Sequence, residues 1–245
     1  MKLSIIIPTF NEAKRIGRAL QEIKHFVSGR NWECEVILVD DGSKDATCQV
    51  FEKECQNFPG FFRLIKNDLN RGKGYSVRRG MMEAKGDFLL FTDADLSTPM
   101  EEAEKLIAVF SAGYDIAIGS RALRESQVEI HQNFLRESMG KIFNLLAQML
   151  TFKGIRDSQC GFKLFKREAA RKLFGLGKIN GFAFDAEIIY LAQKLGYKVK
   201  EVPVLWRNVQ ASKVHILRDP LKMIWDLFRI RFFHGAHGKN CGSKI

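Results

Sequence analysis

The chain has 245 residues, of which 46% are hydrophobic and 27% are charged, and its formal net charge is +11. This composition excludes a disordered protein and provides enough apolar residues for one large α/β domain with a full core. The positive charge favours a polyanionic partner, namely nucleic acid, an anionic membrane surface or a phosphorylated substrate. A basic surface without any function would give the same charge.

The cysteines and the N-terminal sequence indicate a protein of the reducing cytoplasm. The five cysteines form no Cys-x-x-Cys pair, so we predict neither a disulfide framework nor a zinc site. The apolar run Leu3–Pro8 is too short for a signal peptide, and no run reaches the roughly 18 apolar residues of a spanning helix. We therefore expect a cytoplasmic protein that is soluble or bound peripherally to the cytoplasmic face of a membrane.

The first half of the chain alternates short apolar strands with amphipathic helices. The predicted strands are Leu3–Pro8, Glu35–Asp40, Phe62–Lys66, Asp87–Thr92 and Asp115–Gly119. Apolar residues at helical spacing fill the gaps, as at Ile16, Leu20 and Ile23. This alternation predicts an α/β fold whose mostly parallel sheet is covered by helices on both faces.

The second half of the chain, after Ser120, loses this regular alternation. The segment 121–133 is polar and charged without a clear period, which predicts a long functional loop. The elements predicted after it are a helix with a wide apolar face at 142–150, strands at Lys163–Phe165 and Val199–Val204, and a helix at Phe184–Leu195. We predict one domain over residues 1–213, because no linker divides this part of the chain.

The last segment, residues 214–245, predicts an amphipathic helix with a basic tail. Asp219 and Pro220 suit the N-cap and the first position of a helix. One face at helical spacing carries Leu221, Ile224, Trp225, Phe228 and Phe232. The basic residues around that face are Lys222, Arg229, Arg231 and His234. Such a helix can lie in a membrane interface, or it can pack on the domain or on another subunit.

Two carboxylates, Asp93 and Asp95, directly follow the fourth predicted strand. The carboxyl ends of parallel strands form the usual ligand-binding edge of an open α/β sheet. Two carboxylates there repel each other unless a cation lies between them. A hard divalent ion, Mg²⁺ or Mn²⁺, shared with substrate phosphates, suits these oxygens. A purely structural role is also possible, in which Asp95 caps the next helix and Asp93 ends the strand.

The neighbouring strand ends are also polar, acidic or glycine-rich. They are Pro8–Glu12, Asp40–Ser43, Asn70–Gly74 and Gly119–Arg121. Asp40 and Asp41 can accept hydrogen bonds from a base or a ribose, although Asp-Gly-Ser is also a good turn sequence. Gly72 and Lys73 combine a flexible backbone with a cation, which suits phosphate or a stacked base. The strand ends together predict a nucleotide site, and the lack of a P-loop or a Gly-x-Gly-x-x-Gly pattern argues against kinases, ATPases and dinucleotide oxidoreductases.

The order of these motifs resembles that of the family 2 inverting glycosyltransferases with the GT-A fold. The matching motifs are Ile-Ile-Pro-Thr-Phe-Asn-Glu, Val-Asp-Asp-Gly-Ser, Asn-Arg-Gly-Lys-Gly, Asp-Ala-Asp, Gly-Ser-Arg, Asp157–Lys163, Phe184–Glu187 and Arg207 with Ser212 and Lys213. This set looks like the dolichyl- or polyprenyl-phosphate hexosyltransferases. Asp-Ala-Asp-Leu-Ser-Thr-Pro is more similar to the β-glucosyl enzymes than to the mannosyl enzymes, which usually have Gln at the position of Ser97. The resemblance covers residues 3 to about 213, with a nucleotide-sugar half to about 121 and an acceptor half over 122–213.

The resemblance implies a role for each residue that matches a family motif. The residues that would hold the base and ribose are Pro8, Phe10, Glu12, Asp40 and Asp41. Those that would lie elsewhere against the substrates are Gly72, Lys73, Ala94 and Gln159. The metal and the diphosphate would be held by Asp93 and Asp95, with Ser97 completing the metal shell directly or through water. The residues that would face a phosphate of donor or acceptor are Arg121, Arg136, Arg207 and Lys213. Asp185 would orient the sugar or acceptor, or else cap its own helix.

By this resemblance the chain transfers a hexose, with inversion and with a divalent metal, from a nucleoside-diphosphate sugar to dolichyl or polyprenyl phosphate. The neighbourhood of Ser97 favours UDP-glucose as donor, and GDP-mannose is the second candidate. A family 2 transferase for a polysaccharide or soluble glycan is a competing hypothesis, and so is a non-catalytic nucleotide-sugar sensor. Nucleic acid is not an expected partner, because the sequence carries no recognition motif for it. The oligomeric state is left open.

Overall fold

The computed structural model of the chain describes residues 1–58, 60–130, 134–209 and 218–235, and in 134–136 the backbone alone. The strands are β1 (Lys2–Thr9), β2 (Glu33–Asp40), β3 (Phe62–Lys66), β4 (Phe88–Thr92), β5 (Ile116–Ser120), β6 (Gln127–Ile130), β7 (Phe162–Lys166), β8 (Val199–Pro203) and β9 (Leu205–Arg207). The helices are α1 (Ile16–Ser28), α2 (Thr47–Cys55), α3 (Lys73–Glu83), α4 (Ala103–Ala108), α5 (Phe134–Leu150), α6 (Arg167–Leu176), α7 (Phe184–Lys194) and α8 (Arg218–Gly235).

Seven strands form one central sheet in the order β3-β2-β1-β4-β7-β5-β8. All of them run in the same direction except β7, which is antiparallel to both of its neighbours, β4 and β5. A separate two-stranded sheet pairs β6 with β9 in parallel. This architecture confirms the predicted α/β fold with a mostly parallel sheet.

The central strands are apolar because helices cover both faces of the sheet. Ile5 and Ile7 point into the core beneath α1, whereas Ile6 points into the core beneath α3. All three side chains are completely buried. On the α3 side, a Cβ added at Gly80 would lie 2.5 Å from Ile6 Cγ2, so glycine allows the helix to approach the sheet closely.

The predicted strands are confirmed, and the predicted loop over 121–133 is wrong in its middle. The largest boundary difference is at β2, which begins two residues earlier than predicted, at Glu33. Within the predicted loop, Gln127–Ile130 forms β6 and pairs with β9, far along the chain. Sequence periodicity could not indicate this strand, because it is four residues long and largely exposed.

The predicted C-terminal amphipathic helix is α8, which packs against α5 and α7. Its buried face includes Leu227 and Ile230. Asp219 is predicted at the N-cap, but the helix already includes Arg218, so Asp219 lies in the first turn, where a negative charge interacts favourably with the helix dipole. Across the described ranges, no helix combines the length and the hydropathy needed to cross a membrane.

Candidate active site

The carboxyl ends of the six parallel strands lie at one edge of the central sheet. Thr9 at the end of β1 is paired with Asp40 at the end of β2, and Thr92 at the end of β4 lies opposite Phe162. Because β7 starts at Phe162 and runs against β4, the segment 157–161 that precedes it arrives at the same edge. Residues from both halves of the chain therefore come together here, as the motif order predicts.

The loops that follow β1 and β2 are cross-linked by short hydrogen bonds. The Asn11 N–H donates to Ser43 Oγ at 2.8 Å, and the Lys44 N–H donates to Asn11 Oδ1 at 2.8 Å. The carboxylate of Glu12 pairs with Arg15 at 2.7 Å, and its N–H donates to Thr47 Oγ1 at 2.7 Å. These bonds tie the loop after β1 to the loop after β2.

The adjacent carboxylates Asp40 and Asp41 differ in their bonding. Asp41 accepts from Asn67 Nδ2 and the Arg71 N–H at Oδ1, at 2.8 and 3.0 Å, and from the Gly72 N–H at Oδ2, at 2.8 Å. Asp40 Oδ1 is buried and has no hydrogen-bond partner in the described part of the chain. Asp40 Oδ2 accepts from the Ser43 N–H at 3.0 Å, so Asp40 keeps one buried oxygen without such a partner, whereas Asp41 holds the loop that leads to Lys73.

Lys73 begins α3 and pairs with Asp93, its Nζ lying 2.7 Å from Asp93 Oδ1. The preceding Gly72 has a φ of +105°, and a Cβ there would overlap the carbonyl oxygen of Asn180, so glycine is required at this turn. Burial lowers the pKa of Lys73, but the carboxylates of Asp93 and Asp185 raise it by a larger amount. The pKa therefore lies above its usual value. Lys73 is therefore a permanent cation at this edge.

Asp95 and Ser97 form a turn directly after β4. The Ser97 N–H donates to Asp95 Oδ1 at 3.0 Å, and Leu96 between them has a φ of +47°. The N–H of Arg207 in β9 donates to the carbonyl oxygen of Ser97 at 2.8 Å. This bond holds Arg207 beside the acidic turn, although its side chain pairs with Glu129 at 2.6 Å in an exposed position.

Arg121 is held by a two-pronged pair with Asp157. Its Nε and Nη2 lie 2.7 and 2.9 Å from the two carboxylate oxygens, and its backbone N–H donates to Oδ2 at 2.9 Å. Burial raises the pKa of Asp157, but the Arg121 guanidinium lowers it by a larger amount. The pKa therefore lies below its usual range. The guanidinium also lies 5.3 Å from the ring of Trp206. These contacts fix Arg121 and leave its third nitrogen, Nη1, outside the pair.

Asp185 forms a buried ion pair with Lys163 at the start of α7. Lys163 Nζ lies 2.6 Å from Asp185 Oδ1, and it also contacts the carbonyl oxygen of Cys160. Both side chains are almost completely buried. The ammonium groups of Lys163 and Lys73 lie 5.8 and 5.2 Å from the ring of Phe91, so both pairs flank one aromatic ring.

Four further predicted residues have different surroundings. The side chain of Ala94 is buried in the core. Gln159 Nε2 is buried without a hydrogen-bond partner among the described residues, which leaves a donor for a ligand. Arg136 lies in α5, but its side chain is outside the described residues, and Lys213 lies outside them entirely.

The structure adds residues that the sequence did not identify. Gly161 lies against Asp93 so closely that a Cβ at this position would overlap the carboxylate. Asn67 donates to Asp41 and accepts from Arg79 Nη1 at 2.6 Å. Gly161 precedes a strand within the motif Asp157–Lys163, and a glycine in that place is a sign of close approach. No local signal marks Asn67, because its partners lie on other elements.

Asp93 and Asp95 fit a divalent metal by the chemistry of their donors. Both are partly exposed carboxylates, and hard oxygen ligands suit Mg²⁺ and Mn²⁺. Among the described residues, no three His, Cys, Asp or Glu side chains gather into a metal cluster. Two carboxylates suffice for Mg²⁺, which keeps several waters and takes further ligands from substrate phosphates. In this structure, Lys73 pairs with Asp93, and Arg15 Nη1 lies 3.9 Å from Asp95 Oδ2.

A groove of about 620 Å³ lies beside the acidic turn. Its walls include α1, the segment from Leu96 to Glu101, and Arg207. The basic side chains that line it are Lys14, Arg15, Arg18, His25 and Arg207. The acidic residues Glu22, Asp95 and Glu101 line it as well, so its walls carry charges of both signs.

Comparison with known sequences gives a consistent family. The family model described as "Glycosyl transferase family 2" matches residues 4–174. The dolichyl-phosphate beta-glucosyltransferase of Dictyostelium discoideum is 36% identical over 241 residues, which cover 94% of this chain and 74% of that protein. The enzyme of the same name from Mus musculus is 37% identical over 249 residues, which cover 96% of this chain and 77% of that protein.

Solved structures confirm the predicted GT-A fold. Mannosyl-3-phosphoglycerate synthase from Rubrobacter xylanophilus has a TM-score of 0.68 at 19% identity, covering 100% of this chain and 78% of that chain. Glucosyl-3-phosphoglycerate synthase from Mycobacterium tuberculosis, crystallised with Mn²⁺, UDP and glucosyl-3-phosphoglycerate, has a TM-score of 0.66 at 17% identity. That match covers 99% of this chain and 83% of the other. At these identities the likeness establishes the fold alone.

Proposed function

The chain belongs to glycosyl transferase family 2 and is therefore a glycosyltransferase, and from this premise we propose that it transfers glucose from UDP-glucose to dolichyl or polyprenyl phosphate. The observation that carries the proposal is the placement of Asp93 and Asp95 beside Lys73, Arg121 and Arg207 at one sheet edge. The named function of relatives at 36–37% identity supports the glucosyl group and the lipid phosphate.

The donor half of the site offers groups for each part of a nucleoside-diphosphate sugar. Asp40 has a buried oxygen available for a base or ribose. Asp93 and Asp95 would hold a divalent ion, which neutralises negative charge on the departing diphosphate. Lys73 adds a fixed cation next to Asp93. The relative that was crystallised with Mn²⁺ and UDP supports this choice of metal and base.

The transfer itself requires little proton chemistry from the protein. An acceptor phosphate oxygen is already anionic at neutral pH, so it can attack the anomeric carbon without a strong general base. As the new carbon–oxygen bond forms, the bond to the diphosphate breaks, and its electron pair stays on the diphosphate oxygen. A single displacement inverts the configuration, so an α-linked donor gives a β-linked product. The protein's part is to align the two phosphates and to stabilise charge, which Arg121 and Arg207 can do.

The test is a donor and acceptor panel with the full chain. UDP-glucose, UDP-N-acetylglucosamine and GDP-mannose are each incubated with one polyprenyl phosphate, with Mg²⁺, Mn²⁺ or EDTA. We expect a lipid-linked product from UDP-glucose, release of UDP that depends on the acceptor, and loss of both in EDTA. Preference for GDP-mannose would contradict the glucosyl reaction and support the mannosyl reaction instead. Equal turnover with water or a soluble sugar as acceptor would contradict the lipid acceptor.

A further inference from the structure

Helix α8 presents a row of large apolar side chains to solvent. Leu221, Trp225, Phe228 and Phe232 are between 51% and 82% exposed, and their spacing places them on one side of the helix. The opposite side is fixed to the domain by Leu227 and Ile230 in the core. His234 Nε2 lies 2.7 Å from the buried Glu187 Oε1 on α7. The helix is therefore anchored by one face and leaves an apolar face uncovered.

Helix α5, which packs against α8, carries a second exposed apolar row. Ile142, Leu145 and Met149 are between 57% and 74% exposed, whereas Phe143 and Ala147 on the same helix are buried. We call these seven exposed side chains on α5 and α8 the apolar surface. A monomeric soluble protein rarely exposes so many large apolar residues on two neighbouring helices unless they contact a partner.

The charges around the apolar surface are positive. Lys141, Arg218, Lys222 and Arg231 are exposed on the same two helices. Among the described side chains of α5 and α8, the acidic residues are half-buried or buried, and the buried Asp226 pairs with Arg229 at 2.7 Å. An apolar face that contains Trp and Phe and is bordered by lysine and arginine is the pattern of a helix in a membrane interface.

We propose that the apolar surface docks the protein on a bilayer that contains anionic lipids. The large side chains enter the interface, and the basic side chains contact the headgroup phosphates. A second copy of the chain is a poorer occupant, because a symmetric contact through this surface would bring the same cations together. Bilayer docking requires no other protein and satisfies both the apolar and the charged parts of the surface.

Helix α8 lies close to the candidate active site, so docking through α8 would hold that site near the bilayer. Asp226 and Lys222 lie next to Gly181, in the turn before α7. In the same turn, the carbonyl oxygen of Asn180 accepts from the Tyr75 N–H at 3.2 Å, close to Lys73. Helix α8 therefore lies near the edge where substrates bind. That it brings the site to a lipid acceptor rests on the proposed function, whereas the docking itself does not.

Co-sedimentation of the full chain with vesicles tests the docking without any substrate. We expect binding to phosphatidylcholine vesicles that contain phosphatidylserine, and weaker binding to phosphatidylcholine alone or at high salt. The triple variant Trp225→Ser/Phe228→Ser/Phe232→Ser should bind at least about tenfold more weakly, because three apolar insertions are lost. The matched control Leu176→Ser/Leu195→Ser removes exposed apolar residues elsewhere and should bind like the unmodified chain.

A second variant and a second measurement keep the test decisive. Lys222→Glu/Arg231→Glu keeps the apolar residues and should lose the preference for phosphatidylserine. Thermal unfolding of each variant shows whether it folds. Unchanged vesicle binding by the folded triple variant overturns the proposal. The proposal is also overturned if light scattering shows that the unmodified chain is a dimer and the triple variant a monomer, and neither protein co-sediments with vesicles. Transfer to a short, water-soluble isoprenyl phosphate should be equal in all variants, and its failure in the unmodified chain would count against the proposed function alone.

Discussion

Two lysine–aspartate pairs lie at the same sheet edge and differ in their access to solvent. In the Lys73–Asp93 pair the side chains are 23% and 35% exposed, whereas in the Lys163–Asp185 pair they are 2% and 4% exposed. The distances are nearly equal, 2.7 and 2.6 Å. Burial therefore distinguishes the two pairs, and the distance between the charges does not.

This difference in burial indicates different roles for the two pairs. In the Lys73–Asp93 pair, Asp93 can bind another cation in place of Lys73, whereas the Lys163–Asp185 pair stabilises the fold. Water and substrate phosphates can reach Asp93, so Lys73 and a metal ion can both neutralise it. Lys163 and Asp185 are shielded from water, and each needs the other because a buried charge without a partner destabilises the folded state. The carboxylates were both candidate catalytic residues by motif. Their surroundings favour Asp93 as a ligand for metal and diphosphate, and Asp185 as a support for the strand β7 and the helix α7.

Removing the buried cation should have the largest effect on stability. Lys163→Met leaves Asp185 without its partner, so we expect the free energy of unfolding to fall by about 3–5 kcal/mol. Lys73→Met is the matched control, because it removes the cation of the partly exposed pair and should cost about 1 kcal/mol or less. Urea unfolding of both variants measures the difference. Equal losses in the two variants would remove the distinction between the pairs.

Neutralising the acidic turn should affect transfer and leave stability nearly unchanged. In the proposed reaction Asp95 would face the diphosphate, so for Asp95→Asn we expect the rate of lipid-linked product formation to fall by about 10²–10³-fold. Asp87→Asn is the control, because Asp87 lies at the opposite edge of the same sheet and pairs with Arg167. Initial rates with UDP-glucose and polyprenyl phosphate provide the measurement. A variant at Asp95 that kept its full rate would show that transfer does not depend on this carboxylate.

The sequence was sufficient to predict most of the fold. Strands such as β1 and β4 are continuous apolar runs that end in polar residues, and this pattern depends on the local chain alone. It was insufficient for β6, whose partner β9 is remote, and for the direction of β7, which depends on the topology of the whole sheet. Periodicity indicates that a strand exists, but it contains no information about its neighbour.

The candidate site was predictable in its members and less so in their individual roles. Motif order brought Asp40, Asp41, Asp93 and Asp95 to one edge, and the structure places them there. It could not separate Asp40, which has one carboxylate oxygen without a partner among the described residues, from Asp41, which is bonded to the loop after β3. That distinction depends on Asn67 and on backbone amides, whose positions are fixed only when the chain is folded.

Adding one methyl group beside Asp93 tests how closely the accessible pair is positioned. In Gly161→Ala the new Cβ would overlap the carboxylate of Asp93, which must move. We expect transfer to fall by roughly 10²-fold, because a displacement of about 1 Å in a reacting site has that effect. Gly175→Ala is the control, since a Cβ there meets no neighbour within 4 Å. Higher metal concentration should restore part of the rate if the displaced ligand belongs to the metal site, and a normal rate at Gly161→Ala would show that Asp93 tolerates movement.

The Arg121–Asp157 pair extends the comparison to a third ion pair through its pH dependence. Arg121 lowers the pKa of Asp157 below its usual range, so the folded protein binds that proton less readily than the unfolded chain does. The stabilisation by this carboxylate is therefore fully present above about pH 4, the unfolded value, and is lost as the pH falls through the lower folded pKa. We expect Asp157→Asn to cost about 2 kcal/mol at pH 7, as for a charged hydrogen bond, and less towards pH 3. Urea midpoints of both proteins between pH 7 and pH 3 give this difference, and a difference that stays constant over the range would show that the ionisation of Asp157 does not stabilise the fold.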